Sequence, residues 1–529
     1  MSEATQADSS PTAAVADDKI TPEILKIAGV VVLGMIMSIL DITVVNVALP
    51  TFQTDLATGG QEIAYSTVAW TVTGYTLALA AVIPLTGWAA DRFGTKKLFV
   101  AAVTLFTLGS VLCALAQSIE QLISFRVVQG LGGGMLMPLG MTIMTRTAGP
   151  QRMGKLMAIL GVPMLLGPIM GPILGGWLIE IASWHWVFLI NVPLGIITVI
   201  YALFALPKDH VDPSESFDFV GMLLMSPGLA LFLYGVSSIP ATGTVASAKV
   251  LVPGIIGLLL ILAFVLWSFK PKHPLLDLRL FKDRQFTVTI IIMFLFAGAF
   301  FGALLLVPTY FQQVRNESTL TAGLLVAPQG LGAMLVMPLA GIMADKVPVG
   351  RIVPFGFIGI IAGMIGLASS TSPDTPIWHI CAWLFVLGMG MGGTMMPIFT
   401  AALRTLTGPE VARGSTLLNV VQQIASSTGV AVISVVLTSQ FNNSKAIAAA
   451  TALKDAQDTG AQPPAAALDL AQSLGDAFQP TVFADMADAF QTSFWVALTI
   501  LVVTLIPVAL LPRKNEEGLN APQQATMMH

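Results

Sequence analysis

The chain has 529 residues, of which 55% are hydrophobic and 10% charged, where a soluble globular domain carries about 25% charged residues. Water is therefore not the main solvent of its surface, and a formal net charge of -4 gives no case for a nucleic-acid partner. Its two cysteines, Cys113 and Cys381, both fall in apolar runs, which excludes a disulfide framework or a cysteine metal cluster.

Residues 1–23 open with the polar, acidic run MSEATQADSSPTAAVADD. This run lacks the basic and apolar regions of a signal peptide and reads as a disordered cytosolic tail. Apolar stretches between charged or turn-rich breaks then give fourteen candidate helices, centred near residues 37, 77, 107, 134, 167, 195, 228, 259, 299, 332, 361, 389, 425 and 501. Crossing a hydrocarbon core of ~30 Å takes about 20 apolar residues per helix. The expected fold is an all-α integral membrane protein with 14 transmembrane helices: two six-helix bundles plus two inserted helices. The N-terminal bundle occupies 24–206, and the inserted pair with an amphipathic linker occupies 207–284. The C-terminal bundle occupies 285–512 and includes an outer loop at 440–488, before a cytosolic tail at 513–529.

The first helix contains DITVVNVALP (Asp41–Pro50), and Asp41 is the only acidic residue well inside any predicted span. A carboxylate there costs roughly 2.5 to 3.5 kcal/mol on insertion scales, which protonation relieves. After the second helix, GWAADRFG (Gly87–Gly94) precedes Lys96 and Lys97. Gly87 permits close helix approach, and Asp91 can accept from a helix end or pair with a basic residue of the other helix group. The fourth helix carries RVVQGLGGG (Arg126–Gly134), and a guanidinium in a spanning helix marks function by default. In the fifth, GVPMLLGPIMGPILGG (Gly161–Gly176) places Pro168 and Pro172 among Gly167, Gly171, Gly175 and Gly176. Such prolines bend a helix, and glycines on one face let a neighbour pack closely.

KPKHPLLDLRLFKDR (Lys270–Arg284) mixes leucines with basic residues and is expected along the inner membrane surface. The second half repeats the first. GIMADKVPVGR (Gly341–Arg351) follows the loop motif at a shift of 254 residues, and GGTMMP (Gly392–Pro397) follows GGMLMP (Gly133–Pro138) at 259. Parallel repeats of this kind enclose a midplane site and give alternating access by rocking. The outer segment Gln440–Asp488 is rich in Ala, Gln and Asp and suggests no function.

With both termini cytoplasmic, twenty of the 25 basic residues lie on inner loops and tails and four on outer loops, as the positive-inside rule requires. Arg126 is the remaining one. Asp41 lies nine residues before Pro50, about 13 Å inside the outer end of its helix. Arg126 lies five to eight residues past Ser118–Gln121, about 8 to 12 Å deep. Their heights agree within about a turn.

Together these four motifs resemble those of the major facilitator superfamily, in its fourteen-helix drug-proton antiporter group of the EmrB/QacA type, over residues 24 to 512. The resemblance implies a proton-coupled antiporter of the plasma membrane that exports small hydrophobic or amphipathic compounds. It would use the proton gradient and no cofactor. Asp41 and Arg126 would couple protons, the motif Gly87, Asp91, Arg92, Gly94, Lys96 and Lys97 would hold the inner gate, and the fifth-helix motif goes with export. Thr95 stands where the group usually has a basic residue.

Positions expected to face the substrate cavity are Asn46, Gln129, Met135, Met137, Met395, Met396, Asn419, Gln422 and Gln423, with methionines suited to varied apolar shapes. Gln422 and Gln423 replace the acidic residues some relatives carry in this helix, which puts recognition of dications in doubt. The expected partners are lipophilic small molecules, protons and membrane lipids; a periplasmic adaptor is not evident. The scattered histidines and the lack of a phosphate-binding loop argue against an enzyme. A dedicated exporter of one endogenous lipid, siderophore or antibiotic stays open, and the fifth-helix motif argues against uptake.

Overall fold

The computed structural model describes residues 21–57, 63, 65–148, 152–208, 216–242, 244–404, 406, 410–459 and 462–513. Most of the two expected tails falls outside them. Every regular element among the described residues is helical.

The N-terminal group comprises α1 (Pro22–Asp55), α2 (Trp70–Phe93), α3 (Thr95–Ala114), α4 (Ile119–Ala148), α5 (Met153–Ile181) and α6 (Asn191–Ala205). Next come α7 (Phe219–Ser237) and α8 (Ala248–Trp267), packed on each other as a pair. The C-terminal group comprises α9 (Arg284–Gln313), α10 (Thr319–Lys346), α11 (Val349–Ser369), α12 (Ile377–Gly392), α13 (Glu410–Asn443) and α14 (Phe478–Val508).

Local chemistry sets many of these ends. The Thr21 hydroxyl accepts from Ile24 N ahead of Pro22, and Asp283 and Ser318 do the same for Phe286 N and Thr321 N, each satisfying an orphan donor of a first turn. Gly94 alone joins α2 to α3, at φ 90°, a backbone conformation that a Cβ disfavours. Thirteen helices of the described residues are long and apolar enough to cross a membrane. The helix through the fifth-span motif, α5, runs unbroken for 29 residues but stands outside that set.

The repeat is visible in the packing. A Cβ built on Gly134 would stand 2.6 Å from the Leu79 carbonyl oxygen, and one on Gly392 would stand 2.5 Å from that of Ala333. Ala333 follows Leu79 by 254 residues and Gly392 follows Gly134 by 258, so the spatial partner of Gly392 is Gly134, not Gly133 as the motif alignment suggests. The cause is local. The helix breaks after Gly392 and resumes at Met395, and the extra residue restores the shift of 259 by Pro397.

The linker departs from expectation. Leu275 and Leu276 are each 1% exposed and Leu280 8%, so these leucines plug into the protein instead of lying on the membrane. Asp218 fixes them by accepting from Leu275 N at 3.2 Å and Trp267 Nε1 at 2.9 Å. The outer segment is helical too (Lys445–Thr459 and Ala465–Leu474) and closes over its own apolar cluster of Ile447, Ala467, Phe478 and Val482.

Candidate functional site

Two fully buried charges of the first group of helices meet at one place. Arg126 on α4 is ion-paired to Asp41 on α1, and both side chains have 0% exposure. Placing charge away from water is costly unless each lone pair and proton finds a partner, and the surrounding helices supply most of them. Gln129, one helical turn beyond Arg126, accepts from Arg126 Nη1 at 2.7 Å and donates to Asp41 Oδ1 at 2.8 Å and Ser110 Oγ at 2.7 Å. Asn191 at the start of α6 donates to Asp41 Oδ1 at 3.2 Å. Arg126 Nε donates to the Thr71 carbonyl at 3.1 Å. The guanidinium carbon lies 4.0 Å from the Tyr75 ring centroid and 5.8 Å from that of Phe188, while Nη2 has no hydrogen-bond partner among the described residues.

Gln129 therefore belongs to the charge pair and not to a substrate cavity, because it is 0% exposed and its amide is spent bridging acid and base. Thr71, Tyr75, Ser110 and Asn191 were missed. Short polar side chains are common in spanning helices, and nothing in the composition singles these four out. Gln129 did carry a signal, since residues three apart share a helix face.

The second half answers this cluster with an apolar hollow. A Cβ on Gly109 would stand 2.6 Å from Gln129 Cα, and one on Gly363 would stand 2.7 Å from Leu387 Cα, so Leu387 takes the place of Gln129. By the same shifts Gln329 replaces Tyr75, Met364 replaces Ser110 and Leu384 replaces Arg126. Gln329, Met364 and Leu387 line a narrow hollow with Phe300, Phe494 and Leu501.

The fifth-helix motif seats on the helix that carries Asp41. The added Cβ of Gly167 would meet Ile39, that of Gly171 would meet Thr43, and that of Gly175 would stand 3.1 Å from the Val44 carbonyl oxygen, while Gly176 meets nothing. Thr43 Oγ1 donates to the Gly167 carbonyl at 3.1 Å. The side chains of Pro168 and Pro172 lie outside the described residues.

The two groups of helices touch along α2·α13 and α5·α10. A Cβ on Gly87 would stand 3.0 Å from Thr416 Oγ1, and one on Gly161 would meet Met337 and Met396. The seam is thus closed on the side of the loop motif. In that motif Asp91 accepts from Arg146 Nη2 at 2.7 Å, a base of its own group, and Lys96 Nζ donates to the Leu203 and Leu206 carbonyls at 2.7 and 2.9 Å, the end of α6. Arg92 is half-buried and Lys97 exposed.

Of the expected cavity positions, Asn46 is exposed and Met135, Met137 and Gln423 are half-buried. Met396 is 1% exposed at the seam. Asn419 is 5% exposed and bridges the groups instead of facing open space, donating to the Ser415 carbonyl at 2.7 Å and approaching Met141 Sδ at 3.5 Å. Met395 and Gln422 do line a common narrow crevice with Phe296, Phe301 and Phe399. Gln422 Oε1 there has no hydrogen-bond partner among the described residues.

These features define a multi-pass membrane transporter built from two repeated helix groups. The chain belongs to the major facilitator superfamily, whose family model matches residues 31–430. Within it the chain is similar to the EmrB-type exporters. It is 46% identical over 507 residues to the Multidrug resistance protein B homolog of Mycobacterium tuberculosis, covering 96% of this chain and 93% of that one. It is 30% identical over 410 residues to the Multidrug export protein EmrB of Escherichia coli, covering 77% and 79%. Among solved structures, the proton:xylose symporter XylE superposes with a TM-score of 0.56 at 14% identity over 91% of this chain and 94% of that one. The human organic anion transporter MFSD10 gives 0.57 at 13% identity over 91% and 100%. The two structures share the fold alone.

Proposed function

We propose that the chain is a proton-coupled antiporter that exports small hydrophobic or amphipathic compounds by alternating access. In this reading α5 is the fourteenth span, both termini are cytoplasmic, and the protein sits in the plasma membrane. The names of the two relatives support the multidrug class. The observation that carries the coupling is the sealed Asp41–Arg126 pair on the helix that the fifth-span motif grips.

In the paired state Asp41 is deprotonated and neutralised by Arg126. A proton arriving from outside neutralises the carboxylate and releases the guanidinium, which changes what α1 prefers to pack against. Thr43 lies two residues from Asp41 and is bonded to α5, and α5 meets α10 of the other group. Charge at Asp41 is thereby linked to the seam through two helix contacts. One charge moving down ~100 mV supplies about 2.3 kcal/mol, enough for about a fifty-fold substrate gradient per proton. The crevice holding Met395 and Gln422 is lined by aromatic and aliphatic side chains and, among the described residues, by no carboxylate, which favours apolar and amphipathic cargo over dications.

Transport into inverted vesicles tests this reading with several lipophilic cations and dyes, with and without a proton gradient. Proton-dependent uptake of several of them is the expected result. Uptake of none, with a single metabolite carried instead, would point to a dedicated exporter.

A further inference from the structure

We propose that Asn191 and Tyr75 are positioning residues that set, in opposite directions, the pH at which Asp41 takes up its proton. The inference rests on the coupling role given to Asp41 above. Asn191 is 2% exposed, and its amide donates to Asp41 Oδ1 at 3.2 Å. A donor aimed at a carboxylate favours the ionised form. Gln129 donates to the same oxygen but also accepts from Arg126, so replacing it disturbs both charges. Asn191 isolates the acid.

Tyr75 acts on the base. It is 0% exposed, and its hydroxyl is held at 3.1 Å by Ser38 Oγ. Its ring face lies 4.0 Å from the guanidinium carbon of Arg126. When Asp41 is protonated, Arg126 keeps its charge and loses its counter-ion. What remains is the Thr71 carbonyl, the Gln129 side-chain oxygen and the rings of Tyr75 and Phe188, whose negative faces attract a cation; Tyr75 is the nearer of the two. Tyr75 therefore favours the proton-loaded state, as Asn191 favours the unloaded one.

The start of α6 places the grip on the acid. The short turn His185–Leu189 brings Phe188 to within 5.8 Å of the guanidinium, and the chain re-enters helix at Asn191, beneath the carboxylate. Among the described residues, the titratable or charged groups facing Asp41 are Arg126 from α4, Tyr75 from α2 and Cys113 from α3. Among the described residues, α6 contributes the uncharged Asn191.

The test uses the purified full chain in proteoliposomes and follows proton release on adding ethidium, across a pH series. Asn191→Leu removes a donor to the ionised form, so the half-maximal pH is expected to rise by about one unit. Tyr75→Leu removes support for the loaded form, so it is expected to fall by about half a unit. Tyr75→Phe keeps the ring and leaves the midpoint in place. Asn191→Ala, expected to move it in the same direction as Asn191→Leu, substitutes if the leucine variant does not fold. Shifts of the same sign, or none, alongside an Asp41→Asn variant that releases no proton, overturn the inference and leave the coupling role standing. Proton release that survives Asp41→Asn removes the coupling role itself.

Discussion

Replacing Gly87 by valine strikes the seam between the two groups of helices where backbone of α13 faces it. A Cβ there already stands 3.0 Å from Thr416 Oγ1, 3.3 Å from the Ala412 carbonyl oxygen and 3.5 Å from Arg413 Cα. Threonine can rotate away, but two of the three obstacles are backbone, so the methyl groups of valine force α2 and α13 apart. Overpacking of this kind costs about 1 to 3 kcal/mol, and the cost falls only on the conformation in which the two helices touch. The ratio of closed to open seam is therefore expected to drop roughly 5- to 150-fold. Spin labels on Phe93→Cys at the end of α2 and Met343→Cys at the end of α10, both exposed, report the separation by pulsed electron resonance once Cys113 and Cys381 are replaced. A longer-distance population that is minor in the parent is expected to dominate in Gly87→Val. An unchanged distance distribution would refute the seam geometry.

Three further outcomes follow from the same contacts. Gly171→Val drives a side chain into Thr43 and toward its carbonyl carbon, 3.1 Å from the built Cβ, and is expected to lower the transport rate by about tenfold or more, with partial recovery in Thr43→Gly. Gln129→Leu strips one donor from Asp41 and one acceptor from Arg126; it is expected to destabilise the protein by about 1 to 3 kcal/mol, seen as a lower Tm in detergent. Gln422→Leu removes the lone unpaired acceptor of the Met395 crevice, so KM is expected to rise for substrates carrying an N–H or O–H donor and to hold for purely apolar ones, measured by vesicle uptake.

The charged half of the site was legible in the sequence because a charge in oil is conspicuous. Asp41 and Arg126 each interrupt an otherwise apolar run, and counting rise per residue put them at one depth. Most of their neutral partners were not legible. Asn191 and Tyr75 differ little in type from dozens of polar or aromatic residues in membrane helices, and only the folded chain shows which ones turn inward. The linker misled for a related reason: leucines mixed with lysines and arginines read as a surface segment, whereas Asp218 anchors them inside. The repeat was readable to one residue. The break after Gly392 inserts a single position that no periodicity reveals.

The coupling role of Asp41 is tested most directly by measuring substrate movement in proteoliposomes under two regimes, an imposed proton gradient and simple substrate counterflow. Asp41→Asn keeps the shape of the side chain and removes the titration. Loss of gradient-driven accumulation with counterflow retained is the result this mechanism predicts. Accumulation at the parent level in Asp41→Asn would contradict it and place the proton carrier elsewhere in the chain.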